Sequence, residues 1–217
     1  MRHPTLLGAL LAFTAGAVDT LGFIALFGLF SAHVTGNFVL IGAALTHDAA
    51  GLIGKLLALP VFVAGVALTR LYLLRHAAGG RWVLVAQVGL LALCMAAGLL
   101  AVPFSHPDSP AAILVGLLAV APMAVQNAAS RTLFASLAPT TVMTGNVTQI
   151  VIDLVDLAKG QGGADARGRL KKFLPAVLAF AAGALAGAFG FLHYGFWALG
   201  APLLTTLAVL ALMRQGE

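Results

Sequence analysis

The chain has 217 residues, 61% of them hydrophobic and only 9% charged, with a mean hydropathy of +1.03; an ordinary soluble domain is about 45–50% apolar and about 25% charged. Such a composition defines an integral membrane protein, and because one helical span takes about 20 residues, no room is left for a soluble catalytic or nucleic-acid-binding domain. The formal net charge of +5 sits mainly in short segments between apolar runs, where it orients the chain in the bilayer rather than binding a nucleic acid.

The first apolar run, Thr5 to Phe30, follows Arg2 and contains Ala15-Gly16-Ala17, an arrangement that imitates a cleavable signal peptide. It continues past Asp19 without turning polar, so an uncleaved first span is expected. Further spans are predicted at Leu52 to Leu74, Trp82 to Val102, Ala111 to Leu133, Phe173 to Leu192 and Phe196 to Met213. At a rise of about 1.5 Å per residue, runs of about 20 to 26 residues reach roughly 30 to 39 Å, enough to cross. Strands of alternating polarity are absent from the pattern, which disfavours a β-barrel.

Two apolar segments, Ser31 to Thr46 and Ala135 to Ala158, are too short or too interrupted to count as crossings. If neither crosses, eleven of the twelve Lys and Arg residues fall on one side, with Lys55 alone on the other. Letting both cross would separate Arg70, Arg75 and Arg81 from the Lys159 to Lys172 group, against the positive-inside rule. The expectation is therefore an all-α polytopic protein with six transmembrane helices and both termini cytoplasmic.

An internal repeat divides this single membrane domain. His33-Val34-Thr35-Gly36-Asn37 recurs as Val142-Met143-Thr144-Gly145-Asn146, about half a chain later. Each copy follows an apolar span with a polar interruption, Asp19-Thr20 in one and Gln126-Asn127 in the other. Each precedes a span rich in small residues, Gly65 with Thr69 and Gly183 with Gly187. Repeat A (about residues 5–103) and repeat B (about 110–213) would each hold three spans, an odd number, so the second copy would be inverted.

Inverted pairs with broken or re-entrant helices are common in secondary transporters, where the breaks meet near the midplane and bind solute. On that expectation Gly36 and Gly145 start tight turns, Thr35 and Thr144 cap the following half-helices, and Asn37 and Asn146 bond a ligand or the opposite loop. The alternative is a pair of turns that cement the halves and bind nothing.

The pattern Gly16-Ala17-Val18-Asp19-Thr20-Leu21-Gly22-Phe23, then Val34-Thr35-Gly36-Asn37, Gln126-Asn127-Ala128 and Thr144-Gly145-Asn146 resembles the YoaK-like family of small bacterial inner-membrane proteins over nearly the whole chain. Val34 departs mildly from the family pattern, which has Met or a similar residue there. The resemblance implies a multi-pass protein of the bacterial cytoplasmic membrane; it supplies no substrate and no catalytic residue.

Asp19 falls in mid-span, where an ionisable group is costly and by default a functional candidate; it is read either as a proton carrier or as a carboxyl that satisfies neighbouring broken backbone or pairs with a polar residue of the other half. Arg131 either snorkels to the interface or pairs with an anion or an Asp. Asn146, Gln149, Asp153 and Asp156 share one helical face and would line a wet vestibule or form a solvated edge. Of the histidines, His3, His76 and His106 fall in or beside loops, His47 beside Asp48, and His193 in the last turn. None has metal-ligand spacing, and His33 alone adjoins a motif.

Cys94 lies in an apolar run as a small hydrophobe. No metal, cofactor or nucleophile–base pair is indicated, so an enzyme is not expected. The favoured reading is a secondary transporter or channel for a small polar or anionic solute, with a site at Asp19, Gln126, Asn127 and the two Thr-Gly-Asn turns. The alternative is a membrane interaction or scaffold protein whose small-residue faces pack a partner or a second copy.

Overall fold

The computed structural model describes residues 3–44, 46 and 50–214; the His47–Asp48 pair, Arg2 and the last three residues lie outside the described residues. Among these it contains α1 (Pro4–Ala25), α2 (Gly36–Ala44), α3 (Leu52–Arg75), α4 (Gly80–Ala101), α5 (Pro110–Arg131), α6 (Met143–Ala158), α7 (Gly163–Tyr194), a 3₁₀ turn (Gly195–Leu199) and α8 (Gly200–Arg214), with no strand. Five helical runs are long and apolar enough to cross a membrane: α1, α3, α4, α5 and the run from Gly163 to Met213. That last run has 51 residues, about 77 Å if straight, and it reverses at Gly195, whose φ of 56° suits a residue without Cβ.

The reversal is fixed by packing. Phe196 in the 3₁₀ turn lies against Gly98 near the end of α4, while Met213 at the end of α8 reaches Gly80 at the start of α4. The α7–α8 turn and the α3–α4 turn therefore lie at opposite ends of the bundle. Arg81, Arg131 and Lys172 gather at the end where α1 begins, since Leu133 touches Gly80, Leu137 touches Gly8 and Lys172 bonds Ser136. Lys55 sits at the other end, its Nζ donating to the Phe27, Ala50 and Gly51 carbonyls; its charge is spent closing the exit of α1.

α1 and α5 form the interior. Each starts with Pro at the first helical position, where the missing N–H costs nothing, and Ser109 caps α5 by accepting the Ala112 N–H at 3.3 Å. α7 and α8 pack on α1, while α3 and α4 pack on α5. Leu11, Ala15, Val18, Val120 and Met123 are buried between them. The outer helices instead present Leu68, Leu100, Phe189 and Leu204 outward, an exposure that water would not tolerate and lipid requires.

The α1–α7 contact is backbone on backbone. A Cβ added at Gly183 would meet the Phe13 carbonyl, at Gly187 the Ala17 carbonyl, and at Gly16 the Phe180 carbonyl. The facing α3–α5 contact is looser, because Gly65 there meets the Ala124 side chain rather than main chain. Small residues thus let helices approach where no hydrophobic driving force separates them from lipid.

α2 and α6, with 9 and 16 residues, reach only about 14 and 24 Å and do not span. On α6 the polar face turns inward and Val147, Val151, Leu154 and Val155 face out. Asp153, fully buried, takes two bonds from Arg169 Nε at 3.1 Å, one from Arg169 Nη2 at 2.6 Å and one from Gln149 at 3.0 Å. The expected vestibule face is therefore closed at Asp153 by α7; the sequence pattern found the face but not its partner Arg169.

The Arg169 hydrogen bonds hold the Asp153 carboxyl below the ordinary carboxylate value, outweighing burial, with Gln149 and the Arg169 charge adding to them. A depressed carboxyl stabilises above the unfolded value of about 4 and loses that contribution as pH falls through the folded value. Amide exchange across α6, corrected for the intrinsic rate at each pH, is therefore expected to be flat from about pH 5 to 8 and to rise only in stronger acid. Arg169→Gln should raise it at neutral pH as well, and unchanged exchange in that variant would remove the pair from the packing of α6.

Candidate functional site at two helix breaks

Both interior helices stop short and give way to irregular chain inside an apolar region. α1 ends with Gly28 N–H bonded to Phe23 O at 2.9 Å, and α5 ends with Phe134 N–H bonded to Ala129 O at 2.9 Å. Both are the six-to-one bond of a Schellman-type terminus. The left-handed residues of the first break are Phe27 (φ 57°) and Gly28 (φ 81°), so the tight turn comes eight residues before the position expected for it, Gly36. Neither Gly36 nor Gly145 has positive φ. Gly36 is kept small by the Phe30 ring, 2.8 Å from where its Cβ would be, whereas Gly145 has open space and no need to be glycine on steric grounds.

Backbone freed by a break in a membrane must find partners, and Asp19 provides them for residues 31–33. Its Oδ1 accepts the Ser31, Ala32 and His33 N–H groups at 2.8, 2.7 and 3.4 Å and the Ser31 hydroxyl at 3.3 Å. Its Oδ2 lies 2.7 Å from His33 Nδ1. The Asp19 side chain is 6% exposed and the His33 side chain 34%, so the pair bridges the interior and an edge. A cavity of about 190 Å³ lined by Asp19, Thr20, Phe23 and Phe30 opens beside the carboxylate, and His33 sets its ring edge-on to Phe180 of α7 at 5.5 Å.

The second break is held by amides in place of a carboxylate. Gln126 donates from Nε2 to Leu11 O at 2.7 Å and to Thr140 Oγ1 at 3.3 Å, and its Oε1 accepts from Gln87 Nε2 at 2.7 Å. Gln87 Oε1 is buried with no partner among the described residues. Asn127 joins the two breaks: its Nδ2 donates to Ala32 O at 3.4 Å, and its Oδ1 accepts the Thr141 hydroxyl at 2.6 Å. Ala32 and Thr141 precede the two Thr-Gly-Asn copies by the same number of residues, so one carboxamide ties the chain just ahead of each copy.

The Thr-Gly-Asn residues themselves have other employment than a ligand. Asn37, 1% exposed, accepts Phe30 N–H at Oδ1 and donates to Phe30 O from Nδ2, both at 2.9 Å. Asn146, also 1% exposed, donates to Pro139 O at 2.8 Å. The two bonds link equivalent positions, and Pro139, without an N–H, accounts for the missing fourth contact. Thr35 is exposed and makes no side-chain bond. Thr144 lies inside α6, which starts at Met143, and its carbonyl accepts from Thr148. Neither threonine is a cap; the breaks are closed by Asp19, Asn37, Gln126, Asn127 and Asn146.

Asp19, Gln126 and Asn127 are thus brought to the breaks, Asn37 and Asn146 staple their own loops, and Thr35, Thr144 and Gly145 stand outside. Sequence reasoning undervalued His33, although its place beside the first motif, one helical break from a mid-span carboxylate, was the available signal. Lys55 gave no signal of its role: the Ala50 and Gly51 carbonyls are its near neighbours in sequence, but the Phe27 carbonyl at the end of α1 is one that only the fold brings to it.

Long apolar helices with lipid-facing surfaces and buried polar chain breaks define a multi-pass helical membrane protein. A family model described as "Protein of unknown function (DUF1275)" matches residues 7–212, and the chain belongs to that family. It is similar to the UPF0700 transmembrane protein YoaK of Bacillus subtilis (strain 168), with 30% identity over 151 residues, 67% of this chain and 65% of that protein. The match therefore spans slightly less than two thirds of the relative. No solved structure matches the chain.

Proposed function

We propose that the protein is a secondary transporter or channel for a small polar or anionic solute, built of six crossings in two inverted three-helix halves in the bacterial cytoplasmic membrane, with both termini cytoplasmic. The inverted arrangement draws support from the opposed α3–α4 and α7–α8 turns and from the matching bonds at Asn37 and Asn146. The observation that carries the transport reading is the Asp19–His33 pair at a helix break, one partner buried and the other partly open, beside a 190 Å³ cavity. A carboxylate and an imidazole in contact form a unit able to exchange a proton or meet a polar solute.

The purified protein in proteoliposomes, assayed for flux against a panel of small polar and anionic solutes, is expected to move at least one of them. His33→Ala should abolish that flux while leaving thermal stability near that of the parent. Flux of none, in protein shown to be folded, would favour the second reading, a non-transporting interaction or scaffold protein. The saturation of Asn37 and Asn146 by their own loops supports that second reading.

Orientation has its own test in a Cys94→Ala background. Single cysteines at Ser105 and Ala50 are expected to react with an impermeant thiol reagent from outside, and ones at Ala78 and Ala164 only after the membrane is opened. All four positions are exposed. Labelling of Ala78→Cys from outside overturns the cytoplasmic assignment of the arginine-rich end.

A further inference from the structure

Away from the helix breaks, α3 and α4 diverge although a short turn joins them. Both lie on α5, and a crevice of about 620 Å³ separates them, floored by Ala121 and Val125. That volume is in the range of about 300–1,000 Å³ that holds small ligands. Its walls are apolar, with Gly65, Leu68 and Leu90 among them; the polar side-chain atoms belong to Thr69, Tyr72 and Trp82. Thr69 Oγ1 is already spent on the Gly65 carbonyl at 2.8 Å. Along α3 the lining runs from Val61 to Tyr72, about 16 Å of helix, or about half of the roughly 30 Å hydrocarbon core. The crevice is one leaflet deep.

Its outer end is different. There it meets a second cavity of about 370 Å³ that shares Tyr72 and Trp82 and adds His76 and Gly79. Tyr72 and His76 stack with ring centroids 4.6 Å apart, and Trp82 is 62% exposed. Tyr and Trp at the end of an apolar span mark the headgroup level. All three crevice helices bring arginine to this same end: Arg75 closes α3, Arg131 closes α5, and Arg81 lies in the first turn of α4. Among the described residues none of the three is in an ion pair.

We propose that this crevice is a binding site for an anionic phospholipid of the adjoining leaflet. One acyl chain lies between α3 and α4 on α5, and the phosphate sits at Arg75 and Arg81 beside Tyr72 and Trp82. A gap of this size between diverging helices leaves its lining without packing partners, and an acyl chain is the apolar material at hand with the right length. Guanidinium groups at its mouth that have no ion-pair partner among the described residues match a phosphate, whose oxygens accept their parallel N–H pairs. The site shares no residue with the helix breaks, so it stands whether or not the protein transports.

The test uses Trp82 as the reporter in a Trp197→Phe background, Trp197 being at the opposite end of the bundle. The full chain is placed in phosphatidylcholine bilayers, and either brominated phosphatidylglycerol or brominated phosphatidylcholine is titrated in while Trp82 fluorescence is read. Quenching by the anionic lipid is expected to saturate at a mole fraction roughly tenfold lower than for the neutral one. Arg75→Gln with Arg81→Gln should remove the preference while general quenching persists. Ala86→Phe, which fills the crevice from α4 without touching the arginines, should weaken the saturable component.

Equal quenching by the two lipids in the parent protein overturns the proposal, as does a preference that survives loss of both arginines. Quenching by neither places a second copy of the chain over the crevice and overturns it as well. Thermal unfolding of each variant in the same bilayers separates loss of the site from loss of the fold.

Discussion

Gly183→Leu is expected to abolish the folded bundle. The Cβ at this position would occupy the space of the Phe13 carbonyl, and one turn on, at Gly187, that of the Ala17 carbonyl. Overpacking a core usually costs about 1–3 kcal/mol because side chains shift to make room. Here the obstacle is main chain inside a helix, so α1 and α7 must separate along their whole contact, and the cost should exceed about 4 kcal/mol, the range reserved for severe defects. Gly65→Leu on the facing contact is the control, since its Cβ meets the Ala124 side chain at 2.7 Å and should lower stability by less. Size-exclusion profiles and thermal unfolding in detergent read both variants; a Gly183→Leu protein as stable as its parent would show that the close α1–α7 approach is not what holds the bundle.

Asp19→Ala is expected to destabilise the protein by about 3–5 kcal/mol, because several N–H groups lose one shared acceptor and each buried donor left unsatisfied costs about 1–3 kcal/mol. Three N–H groups, from Ser31, Ala32 and His33, lose their acceptor together with the His33 ring, and lipid offers them no substitute. Asp19→Asn keeps one acceptor oxygen facing the same N–H groups and should cost about 1–3 kcal/mol. The gap between the two variants measures how much of the role of Asp19 is backbone closure. Hydrogen exchange at residues 29–35 should rise in the Ala variant far more than in the Asn variant. Equal stability of parent, Asn and Ala proteins would mean that this carboxylate does not hold the break.

The contrast between halves follows from the same chemistry. The first break, with three N–H donors to satisfy at one point, uses an acceptor-only carboxylate. The second presents Thr140 and Thr141 hydroxyls and the Leu11 carbonyl, a mixture of donors and acceptors, and uses Gln126 and Asn127, which carry both. Equivalent positions therefore differ in charge because the groups they serve differ.

The membrane class, the long helices and the places where two apolar runs are interrupted were legible in the sequence, since hydropathy summed over about 20 residues decides insertion and a motif repeated half a chain apart needs no coordinates to be seen. Asp19 as a residue of consequence was legible for a similar reason: a mid-span charge is expensive wherever its partner is. What Asp19 bonds was partly legible, its donors being 12 to 14 residues along the chain.

Tertiary structure alone decided the rest. Asn127 reaches Ala32 across 95 residues, Gln126 reaches Leu11 across 115, and Lys55 closes the end of α1 from another helix. It also decided that Asn37 and Asn146 turn back on their own loops, that Thr35 and Thr144 cap nothing, and that α6 faces Arg169 with its acids and the outside with its valines. The physical reason is that hydropathy and spacing act along the chain, whereas a buried polar group takes whichever partner packing brings within about 3 Å. In a bundle where α1 and α5 are wrapped by helices from the opposite half of the chain, the partners of Gln126, Asn127 and Lys55 include groups distant in sequence, while those of Asn37 and Asn146 lie seven residues away.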